Sequence, residues 1–174
     1  MNIRSFVLTG GLALTCAAAM GASNAAVSPA ALEVAAGNRD ALGMGERLEL
    51  RAGGYFEPVR AGERFDVIVS NPPYVAEAER PGLAPEVVDW EPAEALFGGP
   101  DGLAVIRAVV RGAGSALGPE GLLALEVGAG QASAVAALLE ASGEYRDVEI
   151  RKDLAGKERV VMATLAAMTS HRGG

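Results

Sequence analysis

The sequence is poor in the residues that catalysis most often recruits. It carries one cysteine, Cys16, and one histidine, His171, in 174 residues. A lone cysteine closes no internal disulfide, and a zinc site of Cys and His ligands is excluded by count. A Ser-His-Asp triad would require His171 to fold back from the polar C-terminal tail. These absences favour a reaction that needs neither a metal nor a covalent nucleophile. Aromatic residues make up 5% of the chain, and 15 Lys and Arg stand against 22 Asp and Glu, a formal charge of −7. Phosphate backbones are bound by clustered basic residues, so no large nucleic-acid footprint is expected. Internal repeats are also lacking.

What is abundant is small and apolar. Half of the residues are hydrophobic and 23 are Gly, the composition of an Ala/Gly/Val-rich α/β domain. The length matches one domain, large enough to bury a real core.

Phe65-Asp66-Val67-Ile68-Val69-Ser70-Asn71-Pro72-Pro73-Tyr74-Val75 is an apolar strand that runs into a rigid polar tetrapeptide. In α/β sheets, ligands bind beyond the carboxyl ends of the strands. Each proline holds its φ near −65°, and Pro72 pushes Asn71 into an extended conformation. The prolines donate nothing but their carbonyls accept. Asn71 adds a carboxamide and Tyr74 a flat ring. Such a kit suits a planar group bearing an NH2, whose two protons go to the Asn71 side chain and the Pro72 carbonyl while the group lies on Tyr74. The plainer reading is a proline-rich turn after a strand.

This strand and tetrapeptide resemble motif IV of the S-adenosylmethionine-dependent amino methyltransferases. Downstream, Glu91-Pro92, Ala95-Leu96, Gly98-Gly99, Asp101-Gly102-Leu103, Arg107, Leu117, Gly121, Glu126, Gly128, Gln131, Asp153-Leu154, Gly156 and Arg159-Val160-Val161 are similar in order and spacing to the tail of the bacterial release-factor glutamine methyltransferases. The resemblance covers about residues 27 to 165. It implies an α/β fold, the C-terminal part of a Rossmann-like class I methyltransferase sheet with helices on both faces and an antiparallel closing strand pair. It also implies a protein-(glutamine-N5) methyltransferase of the cytoplasm, acting with S-adenosyl-L-methionine on the Gly-Gly-Gln loop of peptide chain release factors. Asn71 and Pro72 would be catalytic, Asn71, Pro72, Pro73 and Tyr74 would bind substrate, and Tyr55 and Asn71 would meet the cofactor. The loop holding Glu91-Pro92 and Gly98-Gly99 would lie beside the substrate peptide. For Tyr55 the plainer alternative is a half-buried loop aromatic.

The chain departs from the family at its start. Gly54 stands where the family has Asp, and Ala26 stands where an acidic residue would grip the cofactor ribose. No charge occurs between Arg4 and Glu33. Residues 1–26 carry a basic start, an apolar core from Phe6 to Met20 and small residues around Ala25, the outline of a secretory signal peptide, and the apolar core is short for a membrane span of about 20 residues. Equally, Val7 to Leu14 reads as a degenerate first strand, cofactor loop and helix start. The expected organisation is this uncertain segment, a partial methyltransferase domain over 27–166 and a polar tail over 167–174, a truncated or diverged member. Without replacement for the first two strands, the edge of the central strand would be exposed. The alternatives in function are a non-catalytic remnant that holds a Gly-Gly-Gln peptide and an adenine-N6 nucleic-acid methyltransferase, the second disfavoured by the acidic charge.

Further along, Ser28 and Pro29 open a helix with Leu32, Ala35 and Leu42 on one face, ended by Gly43. Arg47 to Leu50 alternates as a strand before the Gly53-Gly54-Tyr55-Phe56 loop. Residues 76 to 102, with four prolines, form a long binding loop. Leu103, Ile106, Val110, Ala113 and Leu117 keep helical spacing until Gly118-Pro119. Leu122 to Val127 is a strand in which Glu126 needs a partner. A helix with Val135, Leu138 and Leu139 inward ends at Gly143, and Val148–Arg151 and Arg159–Leu165 close the sheet. Asp153 and Arg159 read as a surface pair beside that last hairpin.

Overall fold

In a computed structural model, residues 6–10, 22–26, 29–86 and 93–167 are described. One seven-stranded sheet runs through them in the order β3-β2-β1-β4-β5-β7-β6. Its strands are β1 (Phe6–Gly10), β2 (Ala22–Ala26), β3 (Leu48–Ala52), β4 (Phe65–Asn71), β5 (Leu117–Glu126), β6 (Tyr145–Lys152) and β7 (Glu158–Leu165). The first five are parallel to one another, and β7 inserts antiparallel between β5 and β6. The sheet expected from the later part of the sequence is there, with its closing antiparallel pair. It is also completed on the other side by β1 and β2, which the sequence left undecided between a signal-like and a degenerate strand segment.

The helices among the described residues include α1 (Pro29–Ala41), the short α2 (Ala93–Leu96), α3 (Ala104–Ala116) and α4 (Ala132–Ser142). Chain progression runs one way from β1 to β3 and the other way from β4 to β5. Right-handed crossovers therefore put α1 on one face of the sheet and α3 on the other.

The strand at the centre of the sheet, β4, is buried on both sides because both of its neighbours are parallel strands and α3 covers it. Phe65, Val67 and Ile68 are all buried. Ile68 joins Ile106, Val109 and Ala113 of α3, Leu123 and Leu125 of β5, and Val135 and Leu139 of α4 in one core. Leu138, expected to face inward, is only half-buried. Tyr145 closes this core from β6, donating its hydroxyl to the Val110 carbonyl at 2.7 Å, and its burial raises the phenol pKa.

Several boundaries differ from expectation for physical reasons. Leu42 is 56% exposed. The helix has already ended at Ala41, and Gly43, at φ +64, turns the chain so that Met44 becomes the buried residue. Gly143 at φ +68 stops α4 as anticipated. After α3 the chain re-enters the sheet at Leu117, which pairs with Phe65, and residues 118–121 bulge out before Leu122 pairs with Val67. Gly118-Pro119 therefore sits inside a kinked strand rather than ahead of one. The long loop contains a 3₁₀ turn, Glu77–Gly82, besides α2. Glu91-Pro92, the Ser28 cap, Cys16 and His171 lie outside the described residues.

Candidate active site

Strand β4 ends at Asn71, directly opposite Gly10 at the end of β1. The tetrapeptide thus leaves the sheet at the carboxyl edge between its two central strands, where the strand order reverses. Pro72 and Pro73 are buried, whereas Asn71 and Tyr74 are half-buried, so each keeps a face for a ligand. Among the described residues no hydrogen bond ends on the Pro72 carbonyl, and none engages the Asn71 carboxamide.

The tetrapeptide is fixed from two sides. Val75 pairs with Phe97: its N–H donates to the Leu96 carbonyl at 3.0 Å and its carbonyl accepts from the Gly98 N–H at 2.9 Å. Glu77 N–H donates to the Gly99 carbonyl at 3.1 Å, and Ala104 N–H to the Gly98 carbonyl at 2.8 Å. Gly98 is a glycine because a Cβ there would lie 2.5 Å from the carbonyl oxygens of both Pro73 and Gly102. Arg80 stacks over Phe97 at 4.1 Å from the ring centre, tying the 3₁₀ turn to the same wall.

On the other side stands Gln131, at the start of α4. Its Nε2 donates to the Tyr74 carbonyl at 2.8 Å, and its Oε1 accepts from the Gly128 N–H at 2.9 Å. Gly128 passes under the Tyr74 ring, where a Cβ would meet Cδ2 at 2.9 Å. The sequence marks Gly98, Gly128 and Gln131 only as part of a resemblance. Their roles rest on contacts between segments far apart in the chain, which no local pattern displays.

Tyr55 lies in the loop after β3, half-buried against the core, with φ 43 and a phenol pKa raised by burial. Gly54 N–H donates to the Glu57 carboxylate at 3.1 Å, which closes the turn that carries Tyr55. A half-buried cation holds the loop's other end. Arg51 donates to Glu63 at 2.6 and 2.7 Å, to Glu49 at 2.7 Å and to the Pro58 carbonyl at 3.1 Å. Its guanidinium holds the Glu63 pKa down at about 2.

Two other expectations meet different outcomes. Glu126 is half-buried at the end of β5, and its carboxylate has no hydrogen bond or ion pair among the described residues. The partner expected for it is not found among the described residues, and the side chain is only half-buried. Asp153 and Arg159 do face each other beside the last hairpin, at 3.9 Å. Asp153 caps that turn by accepting from the N–H groups of Ala155 and Lys157, each at 2.9 Å. Among the described residues, no helix is long and apolar enough to cross a membrane.

No protein-family model matches the chain. It is similar to the release factor glutamine methyltransferase of Cereibacter sphaeroides, 53% identical over 141 residues, which are 81% of this chain and 50% of that protein. The proteins of the same name from Moorella thermoacetica and Clostridium acetobutylicum are 46% and 42% identical, each over 79% of this chain and 48% of their own length. Among solved structures, a methyltransferase from Pyrococcus furiosus superposes with a TM-score of 0.64 at 15% identity, over 95% of this chain and 76% of its own. An O-methyltransferase from Bacillus cereus in complex with SAH gives 0.57 at 12% identity, over 94% and 74%. The fold is that of the class I methyltransferases. By sequence the chain is similar to the release factor glutamine methyltransferases, and it spans about half the length of the curated relatives that it matches.

Proposed function

We propose that this chain is a protein-(glutamine-N5) methyltransferase whose substrate is the Gln side chain of a release-factor Gly-Gly-Gln loop. The observation that carries this reading is the end of β4. There the Pro72 carbonyl and the Asn71 carboxamide, neither engaged in a hydrogen bond among the described residues, follow one another on a backbone locked by its neighbours. An amide nitrogen is a weak nucleophile because its lone pair is delocalised into the carbonyl. Accepting its two protons at Asn71 and Pro72 holds the nitrogen in one place and favours the partial positive charge that develops there. Tyr74 supplies the surface against which the planar carboxamide lies. Pro73 acts through its rigidity, and the 76–86 and 93–99 segments border the peptide.

S-adenosylmethionine, when bound, supplies the methyl group as a sulfonium. The chain's residues fit its adenine and its reactive end: Tyr55 offers a neutral, partly desolvated ring, and Asn71 stands opposite Gly10 at the carboxyl edge of the sheet. The position at the end of β2 is Ala26, which brings no carboxylate to the cofactor ribose. The similarity to proteins named release factor glutamine methyltransferases favours neither the adenine-nitrogen reading nor the non-catalytic remnant. Cytoplasmic placement follows from the same reading, since release factors work on ribosomes.

The test is transfer of a labelled methyl group from S-adenosylmethionine to a release-factor domain. Label on the Gln of Gly-Gly-Gln, absent when that Gln is replaced by Ala, supports the reading. A full absence of transfer at millimolar cofactor, with the domain still bound, rejects activity for this chain.

A further inference from the structure

The side chain of Gln131 spans two segments that the sequence separates widely. One of its amide ends holds the Gly128 N–H in the loop after β5, and the other holds the Tyr74 carbonyl after β4, at 2.9 and 2.8 Å. A carboxamide is the side chain that can accept at one end and donate at the other in this fixed geometry. Its neighbours stand close on two sides. A Cβ on Gly128 would lie 2.8 Å from Gln131 Oε1 and 2.9 Å from the Tyr74 ring, and one on Gly102 would lie 2.8 Å from Gln131 Nε2 and 2.3 Å from the Tyr74 carbonyl oxygen. Gly102 sits at φ +71, a conformation that side chains rarely adopt. Two glycines thus clear the space in which one glutamine grips the backbone of the aromatic residue.

We infer that Gln131 is a positioning residue: it sets the height and tilt of the Tyr74 ring, and with it the plane in which the substrate carboxamide lies. The inference rests on the proposed methyl transfer for its catalytic part. Its structural part, the coupling of Gln131 to Tyr74, stands apart from any activity. Gln131 reaches the reacting nitrogen only through Tyr74. Its loss is felt in the turnover of bound substrate, more than in the capture of the cofactor. A displacement of about 1 Å in such a site costs about 100-fold in rate.

Two variants separate this role from simple anchoring of the loop. Gln131→Glu keeps the acceptor for Gly128 and loses the donor to Tyr74, whereas Gln131→Ala loses both. The chain contains three tyrosines, so fluorotyrosine labelling yields three fluorine resonances, assigned by replacing each tyrosine with Phe. In both variants the Tyr74 resonance is expected to shift or broaden, while that of Tyr145, buried in the core, stays in place and reports an intact fold. The kcat for Gly-Gly-Gln methylation is expected to fall about 10- to 100-fold, with KM for S-adenosylmethionine within about twofold. If Gln131→Glu matches the parent protein in both the Tyr74 resonance and kcat, the inference is overturned. If the parent transfers no methyl group while Tyr74 still moves in both variants, the proposed function falls and the coupling stands. Should Gln131→Ala fail to fold, Gln131→Glu alone carries the comparison.

Discussion

Ser70 and Asn71 are adjacent, and their circumstances are opposite. Strand alternation points them to different faces of β4. Asn71 is half-buried at the exit of the sheet, whereas Ser70 is wholly buried with a hydroxyl that finds no partner among the described residues. An unpaired buried hydroxyl costs about 1–3 kcal/mol. Ser70→Ala is therefore expected to raise the melting temperature, by about 2–4 °C for each kcal/mol recovered in a domain of this size, and an unchanged or lower midpoint in calorimetry would count against it. A second residue-scale prediction concerns the cofactor. Ala26 ends β2, and Ala26→Asp adds there a carboxylate for the ribose hydroxyls. A charge-assisted hydrogen bond contributes about 1.5–3 kcal/mol, so affinity for S-adenosylmethionine in isothermal titration should improve about tenfold or more. No change would mean that the ribose lies elsewhere.

At the scale of elements, the loop after β3 hangs on one ion-pair cluster. Glu63 accepts two hydrogen bonds from Arg51 and one from the Arg60 N–H, the last at 3.0 Å, and its pKa falls from 4.5 to about 2. A carboxylate with a depressed folded-state pKa contributes its stability above the unfolded value and loses it as the pH falls through the folded one. Glu63→Gln should therefore cost about 1–3 kcal/mol at neutral pH, and the gap to the parent protein should narrow as the pH drops from about 4.5 toward 2. Urea titrations across that range check the sign. A gap that widens on acidification would assign the stability to another group. The elements also differ in how plainly the sequence announces them. β4 is legible because Phe65 to Asn71 packs apolar residues against two prolines. α3 is legible because Ile106, Val110 and Ala113 recur at helical spacing. By contrast, β5 begins at Leu117, hidden by Gly118-Pro119, since a bulge can absorb residues that look like a stop. The 3₁₀ turn at Glu77–Gly82 has no buried residue and contains Pro81, so it leaves no periodic trace.

For the molecule as a whole, the ledge on which the site stands depends on β1 and β2. β1 pairs with β4 on one side and β2 on the other, and β2 in turn pairs with β3. Removing residues 1–26 strips the central strand of a parallel neighbour and cuts β3 from the sheet, which leaves an unpaired apolar edge. The shortened protein is expected to aggregate and to lose its cooperative melt. A soluble monomer with a sharp thermal transition would show that β4 does not need β1. These two strands were the hardest part of the fold to read, because residues 6–10 and 22–26 take their identity from the partners beside them. Of the candidate site, the tetrapeptide is the part that the sequence displays, because its stiffness and its acceptors are local. Its supports are not displayed, because Gln131 and Gly98 act on residues distant in the chain.

The wedge at Gly98 constrains how such a protein can diversify. With the oxygens of Pro73 and Gly102 crowding that one α-carbon, any larger residue would pry the 97–99 segment away from the tetrapeptide. Under the proposed function, new substrate preferences would therefore arise from the outer, exposed positions around Glu77 to Glu86, where side chains can be exchanged without moving that wedge.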